Sequence, residues 1–87
     1  MDADLIFVLK SEIRFFILIS LKNGPKTPTQ LTEQNKFYIT HISTNLKELE
    51  EKGLICCINP EKQKNKLFQL TENGKNIIKE IHNMTKL

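Results

Sequence analysis

The chain has 87 residues, of which 39% are hydrophobic and 26% are charged, and it carries a formal net charge of +3 at pH 7. A chain of this length builds one small hydrophobic core, which excludes a second independent domain, and its composition is that of a globular protein. The small basic excess, with a pI of about 9.0, is compatible with a polyanionic partner.

The first predicted helix covers residues 4–22. The helix is expected to end at Asn23-Gly24-Pro25, because glycine readily adopts the left-handed cap conformation and proline cannot continue a helix. The apolar residues that recur at helical spacing are Leu5, Leu9, Ile13, Phe16, Ile17 and Leu21.

This helix is also apolar on its other faces. Such a helix is either fully buried or shared with another subunit, and full burial by its own chain is difficult in so small a domain. We therefore favour a homodimer whose interface uses the first and last helices. The predicted interface residues are Leu5, Phe7, Val8, Phe15, Leu18, Ile81 and Met84.

Two further helices are marked by their end signals. Thr27-Pro28-Thr29-Gln30 is a capping box that opens a second helix running to about Lys36. After a short turn, a third helix covers about Thr40–Lys52 and ends at Gly53, with Leu54 following as in a Schellman motif. The side chains predicted to be buried on the third helix are Ile42, Leu46 and Leu49.

A hairpin and a last helix complete the predicted fold. The β-rich segments Leu54–Ile58 and Lys66–Thr71 flank a polar loop that contains Pro60, which predicts the hairpin. The last helix starts near Thr71–Gly74. Its inner side carries Ile77, Ile78, Ile81 and Met84. We predict a single domain over residues 1–87, mainly α with a small β-hairpin, in the order α-α-α-β-β-α.

The outer face of the third helix is unusually rich in small polar residues. Ser, Thr and His are poorer helix formers than the Glu, Lys and Gln usual on solvated faces, and their donors and acceptors can reach base edges and phosphates. The residues predicted to enter the major groove of DNA are Thr40, His41, Ser43, Thr44 and Lys47. The acidic second half, with Glu48, Glu50 and Glu51, must point away from phosphate. The alternative is a capped helix start with incidental polar residues.

The hairpin loop alternates lysines, at Lys62, Lys64 and Lys66. Lysines in such a loop can follow the DNA backbone or minor groove and release counterions. Lys36, ahead of the third helix, is a fourth predicted phosphate contact. The alternative is a solvated loop tip, where lysines are common.

Two histidines and two cysteines could in principle bind a metal. His41, His82, Cys56 and Cys57 show no Cys-x-x-Cys or His-x₃-His spacing, and adjacent cysteines in a strand point to opposite faces and cannot pair. No catalytic set of nucleophile and base, glycine-rich phosphate loop or carboxylate pair stands out. We predict no metal, no cofactor and no enzymatic activity, with a thiol- or metal-responsive switch as an alternative.

The start of the chain predicts a cytoplasmic protein without a membrane span. Asp2 and Asp4 stand where a signal peptide would be positively charged. The apolar stretch that follows is interrupted by Lys10, Glu12 and Arg14.

Four segments resemble a known family. They are Ile13-Arg14 with Ile17 and Leu21, Thr29–Thr32, His41–Ile55 and Leu67–Gly74. On these residues the chain, from Ser11 to about Ile81, resembles the winged helix-turn-helix transcriptional regulators of the broad ArsR/MarR-like group, and it looks closest to small archaeal members. The resemblance implies a dimer on a pseudo-palindromic DNA site, with the third helix in the groove and the loop lysines on the backbone.

The chain departs from that group in two ways. The cysteine-bearing metal motif of arsenic and zinc sensors is absent from the third helix, and Thr44 stands where such helices often carry arginine. Strong guanine readout is therefore not expected.

The sequence thus predicts a homodimeric transcriptional regulator, repressor-like, that binds double-stranded DNA with some sequence preference. The first alternative is a winged helix that serves as a protein-interaction module in a larger assembly. The sequence does not identify a small-molecule effector.

Overall fold

The computed structural model describes residues 2–34 and 36–85, which form five helices and a two-stranded antiparallel sheet. The helices are α1 (Ala3–Leu9), α2 (Glu12–Leu21), α3 (Pro28–Glu33), α4 (Ile39–Glu51) and α5 (Glu72–Thr85). The strands are β1 (Ile55–Cys57) and β2 (Phe68–Leu70). The predicted fold class, mainly α with a small β-hairpin between the third-helix region and a last helix, is confirmed.

The segment predicted as one helix over residues 4–22 forms two helices instead. α1 ends at Leu9, and Ser11 is extended (φ −133°, ψ 120°) and accepts a hydrogen bond from the Arg14 amide at 3.2 Å. A serine hydroxyl at this position supplies an acceptor to a helix amide that would otherwise lack one, so the chain can bend here at little cost. The apolar spacing runs across the bend, which is why periodicity alone predicts a continuous helix.

The bend changes the assignment of the apolar residues. α1 packs against both α2 and α5. Leu5, Val8, Leu18 and Ile81, predicted to face a second subunit, are at most 6% exposed and lie in the core of their own chain. The dimer prediction for these four is corrected accordingly. Among the residues that the structure describes, the buried core consists of Leu5, Val8, Ile17, Leu18, Leu21, Leu31, Ile42, Leu46, Leu49, Leu54, Ile55, Phe68, Ile77, Ile78 and Ile81.

Local signals set the ends of α3 and α4. The predicted capping box is present, with Thr27 Oγ1 accepting from the Gln30 amide at 3.1 Å and Gln30 Oε1 accepting from the Thr27 amide at 2.9 Å. Gly53 has φ +75°, and the amides of Gly53 and Leu54 donate to the carbonyls of Glu50 and Leu49, which is the predicted Schellman end. α3 ends at Glu33, earlier than the predicted Lys36, and α4 begins one residue earlier than predicted.

The sheet is smaller than predicted and has an additional neighbour. β1 and β2 pair with Ile55 opposite Leu70 and Cys57 opposite Phe68. On the other edge of β2, the backbone of Lys26 exchanges two hydrogen bonds of 3.0 Å with Phe68. The segment before α3 is thereby attached to the hairpin, and no local sequence pattern predicts this pairing.

The end of α4 and the start of α5 meet at a tight junction. Thr71 Oγ1 donates to the Gly53 carbonyl at 2.6 Å and accepts from the Gly74 amide at 3.1 Å, while the Thr71 amide donates to the Leu54 carbonyl. A side chain on Gly74 would overlap the Leu54 carbonyl oxygen, so glycine is required by close approach. These contacts connect the end of α4, the start of β1 and the first turn of α5.

Within residues 2–34 and 36–85, no helix is long and apolar enough to cross a membrane.

Candidate nucleic-acid interface

One face of α4 is buried and the opposite face is open to solvent. Ile42, Leu46 and Leu49 are at most 2% exposed, as predicted from their spacing. All five residues predicted to read DNA are exposed: Thr40, His41, Ser43, Thr44 and Lys47. α4 therefore presents a polar face about 20 Å long that is available to a partner.

Two polar side chains on α4 already have partners within the helix. Thr44 Oγ1 donates to the Thr40 carbonyl at 3.0 Å, and Asn45 Nδ2 donates to the His41 carbonyl at 2.8 Å. Because the hydroxyl hydrogen of Thr44 is engaged, the groups that this side chain has left for a partner are its methyl group and the acceptor lone pairs of Oγ1. Those groups suit the thymine methyl or a base amino group rather than a base acceptor.

The start of α4 carries an exposed aromatic pair that the sequence reasoning missed. Tyr38 is the N-cap residue, makes no side-chain cap hydrogen bond and is 73% exposed. Its ring meets the His41 ring edge-on, with centroids 5.8 Å apart. An aromatic residue directly before a hydroxyl-rich helix was the available signal.

Asn59 gives the hairpin loop a defined shape. Its Oδ1 accepts hydrogen bonds from the Leu67 amide at 2.7 Å and from Cys57 Sγ at 3.4 Å, and its Nδ2 donates to the Asn65 carbonyl at 3.2 Å. The Asn59 carbonyl accepts from the Lys62 amide at 3.0 Å. We call residues 58–67 the wing loop; Lys62 and Lys64 are exposed on it and Lys66 is half-buried.

The wing loop lies beside α4 and forms a cleft with it. The cleft has a volume of about 250 Å³ and brings Ser43 and Lys47 of α4 together with Lys66 of the wing loop. Lys36, Lys62 and Lys64 do not line it. The remaining lining residues, none of them predicted as contacts, are Thr27, Pro28, Thr29, Leu46, Gln63, Asn65 and Phe68.

The charges around the cleft are mainly positive. Lys47 and Lys66 line it, and none of its lining residues in the described part of the chain carries a carboxylate. On α4, Glu48 is paired with Arg14 at 3.3 Å, whereas Glu50 and Glu51 are exposed in the last turn. The first half of α4 and the wing loop can therefore accept a polyanion that the end of α4 would repel.

Nothing in the described part of the chain is arranged as a metal centre. Across residues 2–34 and 36–85, no group of three or more His, Cys, Asp or Glu side chains could hold an ion. Cys56 and Cys57 are free, half-buried thiols, and Gln69 Nε2 lies 3.9 Å from Cys56 Sγ.

A short helix, a turn and a second helix with an exposed polar face, followed by a hairpin whose loop lies beside that face, define a winged-helix protein. α3 and α4 are its helix-turn-helix, and β1, the wing loop and β2 are its wing. The chain belongs to the winged helix-turn-helix family, whose model matches residues 9–87.

Solved structures share this fold at low sequence identity. The transcriptional repressor BigR from Xylella fastidiosa is 20% identical, with a TM-score of 0.78 over 98% of this chain and 86% of that chain. A MarR-family protein from Enterococcus faecalis V583 is 14% identical, with a TM-score of 0.82 over 97% and 83%. HlyU from Vibrio cholerae N16961 is 20% identical, with a TM-score of 0.74 over 98% of both chains. A search of curated proteins gave no significant match.

Proposed function

We propose that this chain is a non-catalytic regulator of transcription that binds double-stranded DNA with a modest sequence preference. The observation that supports it most is the cleft in which Ser43 and Lys47 of α4 meet Lys66 of the wing loop, with no carboxylate among the described lining residues. Membership of the winged helix-turn-helix family and the likeness to a transcriptional repressor of the same fold support the same proposal.

In the proposed complex, the first half of α4 enters the major groove, which is about 12 Å wide. Thr40, His41, Ser43, Thr44 and Lys47 face the base edges. Lys36, Lys62, Lys64 and Lys66 contact phosphates, which provides most of the affinity and makes it depend on salt. Glu50 and Glu51 remain outside the groove.

We further propose that the chain acts as a homodimer that represses by occupying a promoter. Of the predicted interface residues, Phe15 (38%) and Met84 (53%) are exposed and Phe7 is half-buried. Further exposed apolar residues lie on α1 and α2, namely Ile6, Leu9 and Ile19. A twofold dimer would place two α4 helices about one helical turn of DNA apart. Sedimentation of Phe15→Glu beside the unaltered protein tests the interface, and an unchanged dimer would exclude Phe15 from it.

The DNA-binding proposal is tested by gel shift with random-sequence duplex at low and moderate salt. Binding should weaken steeply as salt rises, and the double variant Lys62→Glu, Lys64→Glu should bind all sequences more weakly. The matched control is Lys75→Glu, Lys79→Glu, which makes the same charge change on α5 instead of on the wing loop and should have a much smaller effect. Absence of binding at low salt would favour a protein-interaction module instead.

A further inference from the structure

Arg14 connects three helices through one side chain. Its Nη1 donates a hydrogen bond to the Phe7 carbonyl of α1 at 2.8 Å, and its Nη2 pairs with Glu48 Oε1 of α4 at 3.3 Å. The guanidinium carbon lies 3.8 Å from the centroid of the Phe7 ring, and the Arg14 side chain is only 20% exposed. The last turn of α1 and the last turn of α4 are therefore held by the same planar group.

The residue type at position 14 fits this task. Arg14 is the only arginine among the 13 lysine and arginine residues of the chain. A lysine ammonium is a compact point charge, whereas a guanidinium donates in two directions from one plane and stacks on an aromatic face. Both properties are used here, because the two terminal nitrogens bind different helices while the plane lies close to the Phe7 ring.

The contact on α4 lies close to the residues that face DNA in the proposed complex. Glu48 follows Thr44 by one helical turn, so the two side chains are neighbours on the same side of α4. Apolar contacts below α4 hold it without strong directionality, whereas a charge-assisted hydrogen bond depends on the directions of donor and acceptor. Arg14 Nε is buried without a partner in the described part of the chain, so losing Glu48 would leave the guanidinium with one backbone acceptor.

We propose that Arg14 is a positioning residue for DNA reading: through Glu48 it fixes the rotation of α4 relative to α1, and with it the direction in which Thr44 faces. The proposal rests on the proposed function, because it concerns sequence preference. It assigns to Arg14 an effect on discrimination between duplexes and none on general attraction to phosphate.

Glu48→Ala and Glu51→Ala form a matched pair of variants. Each removes one negative charge from α4, but of the two only Glu48 pairs with Arg14. Affinities for a duplex selected from a random library and for a random-sequence duplex are measured by fluorescence anisotropy, well below the unfolding temperature of each variant. Their ratio is the readout, since a variant that merely loses stability keeps its ratio while it remains folded.

We expect Glu48→Ala to lower the ratio of the affinity for the selected duplex to that for the random-sequence duplex by about threefold or more, and Glu51→Ala to leave this ratio unchanged. Both variants should gain affinity for the random-sequence duplex to the same extent, because each removes one negative charge. Arg14→Lys keeps the positive charge but not the planar guanidinium that donates in two directions, so it should lower the ratio as Glu48→Ala does. Ratios that are equal in all proteins overturn the proposal, and so does an unaltered protein that does not distinguish the two duplexes. An unaltered protein that binds neither duplex at low salt would instead contradict the proposed function, and the proposal with it.

Discussion

Replacing Gly74 with alanine probes the junction between the end of α4 and the start of α5. Gly74 is buried in the first turn of α5, and its amide donates to Thr71 Oγ1. An added Cβ would overlap the Leu54 carbonyl oxygen and lie 3.2 Å from both the Leu54 carbonyl carbon and Leu70 Cδ2. The backbone carbonyl cannot rotate away as a flexible side chain could, so α5 must shift.

The opposing effects can be compared in size. Overpacking of this kind costs roughly 1–3 kcal/mol, and each hydrogen bond that Thr71 makes across the junction contributes about 1 kcal/mol. Alanine gains at most about 1 kcal/mol of helix propensity over glycine. We expect Gly74→Ala to lower the free energy of unfolding by about 2 kcal/mol, which corresponds to a Tm lower by roughly 8–16 °C in a domain of this size.

Thermal unfolding followed by circular dichroism measures this difference. All proteins are compared at the same concentration, because association would raise the Tm. Asn73→Ala is the control, since it places alanine on the exposed neighbouring position of the same helical turn and should leave the Tm unchanged or slightly higher. A Gly74→Ala protein as stable as the control would refute the close approach between α5 and Leu54.

Three further predictions concern the surface proposed to bind DNA. Thr44→Val keeps a methyl group at this position and should keep the preferred sequence in a selection from random duplexes, whereas Thr44→Ala should change the preferred sequence. Equal changes in the two variants would show that the methyl group is not read. Asn59→Ala removes the side-chain acceptor of the Leu67 amide and should weaken binding to every duplex by about fivefold, measured by anisotropy, with undiminished binding as the contrary result. Lys62→Glu with Lys64→Glu should make the negative slope of log affinity against log salt shallower by about 2. An unchanged slope would exclude these lysines as phosphate contacts.

The parts of the fold that could be predicted are those with local signals. The capping box at Thr27 and the glycine at position 53 mark the ends of α3 and α4 within a few residues, and the spacing of Ile42, Leu46 and Leu49 gives the buried face of α4. These signals depend on neighbours three to five positions away in the sequence. They therefore do not require knowledge of the tertiary structure.

The parts that could not be predicted depend on distant neighbours. Ser11 can either continue a helix or cap one, and the packing of α1 against α2 and α5 decides between these. The pairing of Lys26 with Phe68 joins segments that are far apart in the chain, and no periodic pattern in the sequence predicts it. The cleft shows the same limit: Ser43 and Lys47 could be predicted from α4 alone, but Gln63 and Asn65 line it because of the loop shape that Asn59 imposes.

The hydrogen bonds of Asn59 have a thermodynamic consequence for association with DNA. A loop already ordered in the free protein loses little conformational entropy when a ligand arrives, since that loss occurred during folding. Complex formation should then show a small heat-capacity change, unlike the large one of segments that fold on binding. Calorimetry at several temperatures would measure this heat-capacity change and show whether the wing loop is already ordered before it binds the duplex or becomes ordered on binding.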